Sequence, residues 1–256
     1  MNLLSDKTGA AGAARLAIVA AFALVTALAG VFTMPPLDRD EARFAQASAQ
    51  MLETGDYVTI RFQEDERNKK PAGIYWLQAA SVEAFSSVEA REIWAYRLPS
   101  VAGAVLAALF TYLAGWRLYG PAAGFIAALL LASAPALAGE ATIAKTDAML
   151  LACVTAAEAA FIAVFANTVE GRRSGFALAL GFWAAIGAGV LIKGPIILMV
   201  VGLTAVSMFF ARPKGDWIGA LRPVSGVVIL TLMIAPWAMR IHQATDGRFF
   251  IDAIGG

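Results

Sequence analysis

Charge is what this chain has little of. Asp, Glu, Lys and Arg make up 15% of 256 residues, and the basic residues exceed the acidic ones by one, giving a net charge of +1. So balanced a sequence offers no basic face to track a phosphate backbone, which excludes nucleic acid as a partner. Cysteine and histidine are scarcer still, at one each. Cys153 lies inside an apolar run, so there is no disulfide framework and no cysteine-based metal site. His242 has no second ligand at metal-binding spacing. Beyond a bias to alanine, no internal repeat or low-complexity tract is visible.

What is there is apolar. A hydrophobic content of 59% and a mean hydropathy of +0.68 exceed the roughly 45–50% apolar content of soluble domains. Trp and Tyr often stand beside the ends of apolar runs, as interfacial anchors do. The pattern predicts an all-α polytopic membrane protein. Seven runs come near the roughly 20 residues that a bilayer core requires: about 14–34, 97–116, 121–138, 148–167, 176–192, 195–211 and 222–239. The first is longer than the core of a signal peptide, and Met34-Pro35-Pro36 is a poor cleavage site, so it reads as an anchor. Glu158, in mid-span, reads as facing the bundle interior or a wet cavity.

Short loops set the orientation. With the N-terminus inside, the inner segments carry Lys7, Arg15, Arg117, Arg172, Arg173, Arg212 and Lys214, and the short outer turns only Lys145 and Lys193. Residues 35–96 then face outward, as does the C-terminus at 251–256. This long loop holds seven Lys/Arg and eleven Asp/Glu. Within it, Asp40–Leu52 reads as a short helix capped by Asp38 or Asp40, with acids in its first turn. Phe44, Ala47, Met51 and Leu52 form one apolar stripe, which suits a helix lying along the membrane surface. Gly55-Asp56 ends it, "YVTIRF" alternates like a strand, and residues 63–68 form a charged turn. Pro71 opens a second helix over 72–85, and 89–97 is a further amphipathic segment.

Four outward-facing groups are candidates for chemistry. The cluster Asp38, Asp40 and Glu41 with Arg39 and Arg43 fits either a solvated helix start or a general base at the membrane–water boundary, kept ionised by arginine. Asp40 and Arg43 share a helix face. Lys69-Lys70-Pro71 fits either a basic loop on lipid headgroups or a phosphate site beside a helix N-terminus, with Tyr75 and Trp76 holding the apolar neighbour of that phosphate. Asp147, in "GEATIAKTDAML", fits an N-cap or an acid of the same site. Lys193, before Gly194-Pro195, is costly unless it snorkels or meets an anion. Together they suit an anionic lipid head meeting a nucleophile.

In order, "LDRDEARFAQASAQMLETGDYVTIRF", "NKKPAGIYWLQAAS", "YRLPSVAGAV", "IAKTDAML" and "LIKGPIILMV" resemble the lipid-linked-sugar glycosyltransferases. These are the aminoarabinose (lipid A) transferases and their protein O-mannosyltransferase-like relatives, with the multispan GT-C fold. The resemblance implies inverting transfer of a sugar from a polyprenyl-phosphate carrier to an acceptor hydroxyl of lipid A, another glycan or a protein, on the outer face of a bacterial inner membrane. It implies Asp40 as the base, with Glu41 and Asp147 as further acids. Arg43, Lys70, Tyr75 and Lys193 become substrate-binding. Relatives carry Glu before the Lys-Pro pair and Glu-His where this chain has Asp252-Ala253. Those lost groups are potential metal ligands, so neither metal nor other cofactor is expected. The expected organisation is a single transmembrane domain over 1–256 with a further C-terminal part missing. A transporter or flippase binding a lipid-linked anion, or an inactive scaffold, is the alternative; charge in an outer loop and the absence of a repeat favour the enzyme.

Overall fold

A computed structural model describes residues 7–36, 38–212 and 215–255. Leu37, Lys214 and Gly256 lie outside the described residues. The chain is a bundle of helices: α1 (Lys7–Leu28), α2 (Arg39–Thr54), the two-residue strands β1 (Arg61–Phe62) and β2 (Asp65–Glu66), α3 (Gly73–Phe85), α4 (Ile93–Tyr119), α5 (Pro121–Ala132), α6 (Pro135–Ala141), α7 (Asp147–Val169), α8 (Phe176–Lys193), α9 (Ile196–Ala211), α10 (Asp216–Ala220), α11 (Pro223–Ala244) and α12 (Arg248–Gly255). Large apolar side chains such as Val25, Phe210 and Leu232 cover its outside, as lipid contact requires.

Helices α1, α4, α7, α8 and α11 are each long and apolar enough to cross a membrane. The run expected at 121–138 is broken: α5 and α6 meet at 60°. Pro135 disfavours helical geometry at Ala134, which is extended. The run at 195–211 gives the 16-residue α9, about 24 Å long at ~1.5 Å per residue and short of a ~30 Å core on its own.

Close helix contact is built from small residues. A Cβ on Gly103 of α4 would stand 2.6 Å from the Ala148 backbone of α7, so only glycine lets these two spans touch there. Pro99, inside α4, lacks the N–H that would bond to the Ala95 carbonyl. Ser81 of α3 donates its hydroxyl to that carbonyl at 2.7 Å, so the proline's orphan acceptor ties α3 to α4. Ser100, next along, bonds the Ile143 carbonyl at 2.7 Å and anchors the loop before α7.

In the loop before α4, the α2 stripe forms as its spacing requires: Phe44, Ala47 and Met51 are all buried. They pack into the core with Ile60, Ile74 and Tyr75, so the protein itself covers this face. Each large apolar side chain so buried contributes about 1.5–3 kcal/mol. Gly55, at φ 70°, ends α2 with its N–H on the Met51 carbonyl. The strand expected over 57–62 is short: Asp56 accepts the amides of Val58 and Thr59 in a turn, leaving Arg61–Phe62 to pair with Asp65–Glu66. The segment at 89–97 is the approach to α4 and its first turn.

Candidate active site

Three acids begin α2, and the fold gives each a different environment. Asp38 caps the helix, accepting the Asp40 amide at 2.7 Å, and forms an ion pair with Lys145. The hydrogen bond from Lys145, with that amide, holds the Asp38 carboxyl below the usual carboxylate range. Burial of Lys145 works against its charge, but the bond to Asp38 outweighs it and raises the lysine.

Glu41 is buried with 1% of its surface exposed. Arg97 reaches it in a two-pronged ion pair, Nε to Oε1 at 2.7 Å and Nη2 to Oε2 at 3.0 Å. The Ala144 amide donates to Oε1 at 2.9 Å. Arg97 also donates Nη1 to the Val31 and Met34 carbonyls. These bonds supply the saturation a buried ion pair needs against its desolvation cost.

Asp40, between them in sequence, points elsewhere. Its carboxylate is 48% exposed, 3.4 Å from Arg43 and 4.0 Å from Arg67. The guanidinium of Arg67 lies 5.3 Å over the Phe44 ring, and Phe44 stacks on Tyr75 at 5.2 Å. Tyr75 is fully buried. Burial pushes its hydroxyl up to about 12, with Arg67 pulling the other way. Neither that hydroxyl nor Arg67 Nε has a hydrogen-bond partner among the described residues. Arg43, 6.0 Å from the Phe62 ring centre, opens onto a cleft of about 650 Å³ that Arg67, Lys69 and Asp252 also line. Asn68 closes one side by donating to Asp252 at 3.1 Å.

Lys70 is half-buried just before α3. That helix has Ala72 as its N-cap, with no side-chain bond to its first-turn amides, so those N–H groups add to the lysine's pull on an anion. A Cβ on Gly73 would stand 2.6 Å from the Leu191 carbonyl oxygen, which brings α3 against the end of α8. There Lys193, the last residue of α8, pairs with Asp147, the first residue of α7. Asp147 follows the cap residue Thr146 rather than capping the helix itself.

Among the expected site residues, Asp40 and Arg43 are brought together and Tyr75 is joined to them through Phe44 and Arg67. Asp147 and Lys193 form a second pair, and Glu41 belongs to a third set with Arg97. Arg67 was read only as part of a charged turn; its position depends on the β1–β2 turn folding back over α2, which no local periodicity signals. Glu158 has one carboxylate oxygen without a partner among the described residues, and His242 is exposed. Among the described residues, no group of three His, Cys, Asp or Glu is placed to hold a metal ion.

Residues 69–239, well over half of the chain, match the family described as dolichyl-phosphate-mannose-protein mannosyltransferase, and the chain belongs to that family. It is 31% identical over 232 residues to an undecaprenyl phosphate-alpha-4-amino-4-deoxy-L-arabinose arabinosyl transferase of Pseudomonas paraeruginosa, covering 86% of this chain and 41% of that one. The corresponding transferase of Aeromonas hydrophila is 30% identical over 220 residues, covering 82% and 39%. The fold is that of ArnT from Cupriavidus metallidurans. Its crystal structure bound to undecaprenyl phosphate gives a TM-score of 0.80 at 24% identity over 93% of this chain and 43% of that one. The apo structure gives 0.80 at 25%, over 94% and 44%. This chain is therefore a GT-C-type, multi-pass bacterial inner-membrane protein, and it spans about two fifths of the length of these relatives.

Proposed function

We propose that this chain forms the donor-binding membrane part of an inverting glycosyltransferase, which moves a sugar from a polyprenyl-phosphate carrier to an acceptor hydroxyl of lipid A, another glycan or a protein. One observation carries the reading. Asp38 and Glu41 are held by close ion pairs, whereas Asp40 meets Arg43 and Arg67 only at 3.4 and 4.0 Å, with its side chain 48% exposed, and both of those arginines line the cleft. A general base needs an oxygen within reach of the acceptor's proton, which the exposed Asp40 carboxylate offers.

In the proposed step Asp40 takes the acceptor's proton. The acceptor oxygen attacks the anomeric carbon from the side opposite the carrier, and the bond from that carbon to the phosphate oxygen breaks with inversion. The departing polyprenyl phosphate gains charge, which Arg43 and Lys70 stabilise, as fixed cations aimed at developing charge do. Tyr75 is too deeply buried to grip substrate and instead supports Phe44 and Arg67. Glu41, expected among the catalytic acids, has its carboxylate enclosed by Arg97 and Ala144 and acts as a positioning residue. Asp147 holds Lys193 at the neighbouring helix ends. With the N-terminus inside, and with the bent pair α5–α6 and the short α9 counted as crossings beside the five long spans, this charged end faces the periplasm, and membrane lipids surround the bundle.

The test is transfer from a labelled polyprenyl-phosphate sugar in membranes holding the full-length protein, wild type beside Asp40→Asn. Transfer by wild type that is lost in the variant, with carrier binding kept, supports the assignment. Carrier binding without transfer by wild type would replace the enzyme with a transporter or scaffold.

A further inference from the structure

The far end of the bundle holds a second cleft, which the proposed reaction does not use. Helix α7 runs from Asp147 to Val169, roughly 34 Å at ~1.5 Å per residue, so the cleft beyond Thr168 lies a membrane's thickness from Asp147. It measures about 560 Å³ and is lined by Arg172, Arg173 and Arg222, with Asp216 as the lining carboxylate. Arg172 pairs with Glu170, and Arg212 behind the cleft pairs with Asp216. Among the described residues, neither Arg173 nor Arg222 has a carboxylate in ion-pair range.

Arg222 is also held in place. Its backbone sits at φ 51°, a conformation that costs a non-glycine residue about 1 kcal/mol or more, and its guanidinium lies 5.3 Å over the Phe176 ring. Phe176 is itself 49% exposed, and Val224, two residues beyond Arg222 in the first turn of α11, is 79% exposed. An unpaired cation stacked on one exposed aromatic and followed by an apolar helix start presents a charged head site continuous with an apolar wall.

We propose that this cleft binds the phosphodiester headgroup of an anionic glycerophospholipid, with its acyl chains lying on Phe176 and Val224. Arginine-lined pockets between membrane helices suit such headgroups. On the N-inside reading the lipid belongs to the cytoplasmic leaflet. A soluble anion would have no use for the apolar wall, which is why a lipid is the favoured occupant over free phosphate.

The full-length protein, purified in detergent doped with equal phosphatidylglycerol and phosphatidylcholine, tests this by native mass spectrometry of retained lipid. Wild type should retain phosphatidylglycerol at least tenfold over phosphatidylcholine. Arg172→Gln/Arg173→Gln/Arg222→Asn should lose that preference, while Arg91→Gln, an exposed position in the loop before α4 at the opposite end, keeps it. Folding of each variant is checked by its unfolding temperature, and Arg173→Gln alone, at an exposed turn, should lower retention several-fold if the triple variant is unstable. Equal retention by wild type and the arginine variants would overturn the proposal. So would loss of the lipid in Arg91→Gln, or its displacement by millimolar inorganic phosphate, which marks a site for any anion.

Discussion

The two faces of α2 carry neighbouring acids with opposite fates. On the inward face, Glu41 lies beneath Arg97 with every oxygen engaged, in line with Phe44, Ser48 and Met51, all buried. On the outward face, Asp40 meets Arg43 and Arg67 at longer range and stays half in water. One residue of spacing turns a helix by about 100°, enough to make one carboxylate part of the frame and leave its neighbour half in water. Carboxylate identity alone therefore says little about chemistry; what matters is how many donors already hold it.

Substitutions can break this contrast. Asp40→Asn should lower sugar transfer by about 10²–10⁴-fold, the usual contribution of a general base, with the unfolding temperature unchanged. Arg97→Ala should act in the other way, leaving Glu41 charged and buried at a cost of about 3–5 kcal/mol, read as a fall in unfolding temperature and in folded yield. Replacing both Glu41 and Arg97 by Met should recover part of that loss. Recovery stays partial because Arg97 also serves the Val31 and Met34 carbonyls. If Asp40→Asn destabilises as much as Arg97→Ala, the division between the two faces fails.

Smaller effects sharpen the picture. Ser81→Ala should cost about 1–3 kcal/mol by leaving the Ala95 carbonyl unpaired beside Pro99, measured by the same unfolding assay. Asp38 should matter least, under about 1 kcal/mol, since its pair with Lys145 is partly exposed and screened. Its lowered pKa sets the sign: the stabilisation is fully present above the ordinary aspartate range and disappears as pH falls through the folded value. Unfolding temperatures of wild type and Asp38→Asn should therefore differ near neutrality and converge in acid.

Local patterns were readable in the sequence, and long-range pairing was not. The α2 stripe follows from 3.6-residue spacing, and the Gly55 stop from its preference for positive φ. The apolar runs mark the spans, although Pro135 splits one of them at Ala134. That Asp40 and Arg43 share a face also follows from helix geometry. The burial of Glu41 does not, because its partner is 56 residues away and lies on a span. Arg67 escaped for the same reason: a charged turn has no period to say which ring it will cover. Lys193 showed as a group wanting an anion and Asp147 as an N-cap or an acid of the same site, but 46 residues separate them, and only the packing of α7 beside α8 pairs them.

The enclosure of Glu41 also has a consequence in time. During synthesis Glu41 leaves the ribosome 56 residues ahead of Arg97 and 103 ahead of Ala144. Its final shell cannot close until α4 and the loop before α7 have followed. Until then the start of α2 carries a carboxylate with no permanent partner. The step that locks α2 in place, and with it the orientation of Asp40, therefore waits for the insertion of a later span, so the site matures only after more than half of this chain has been made.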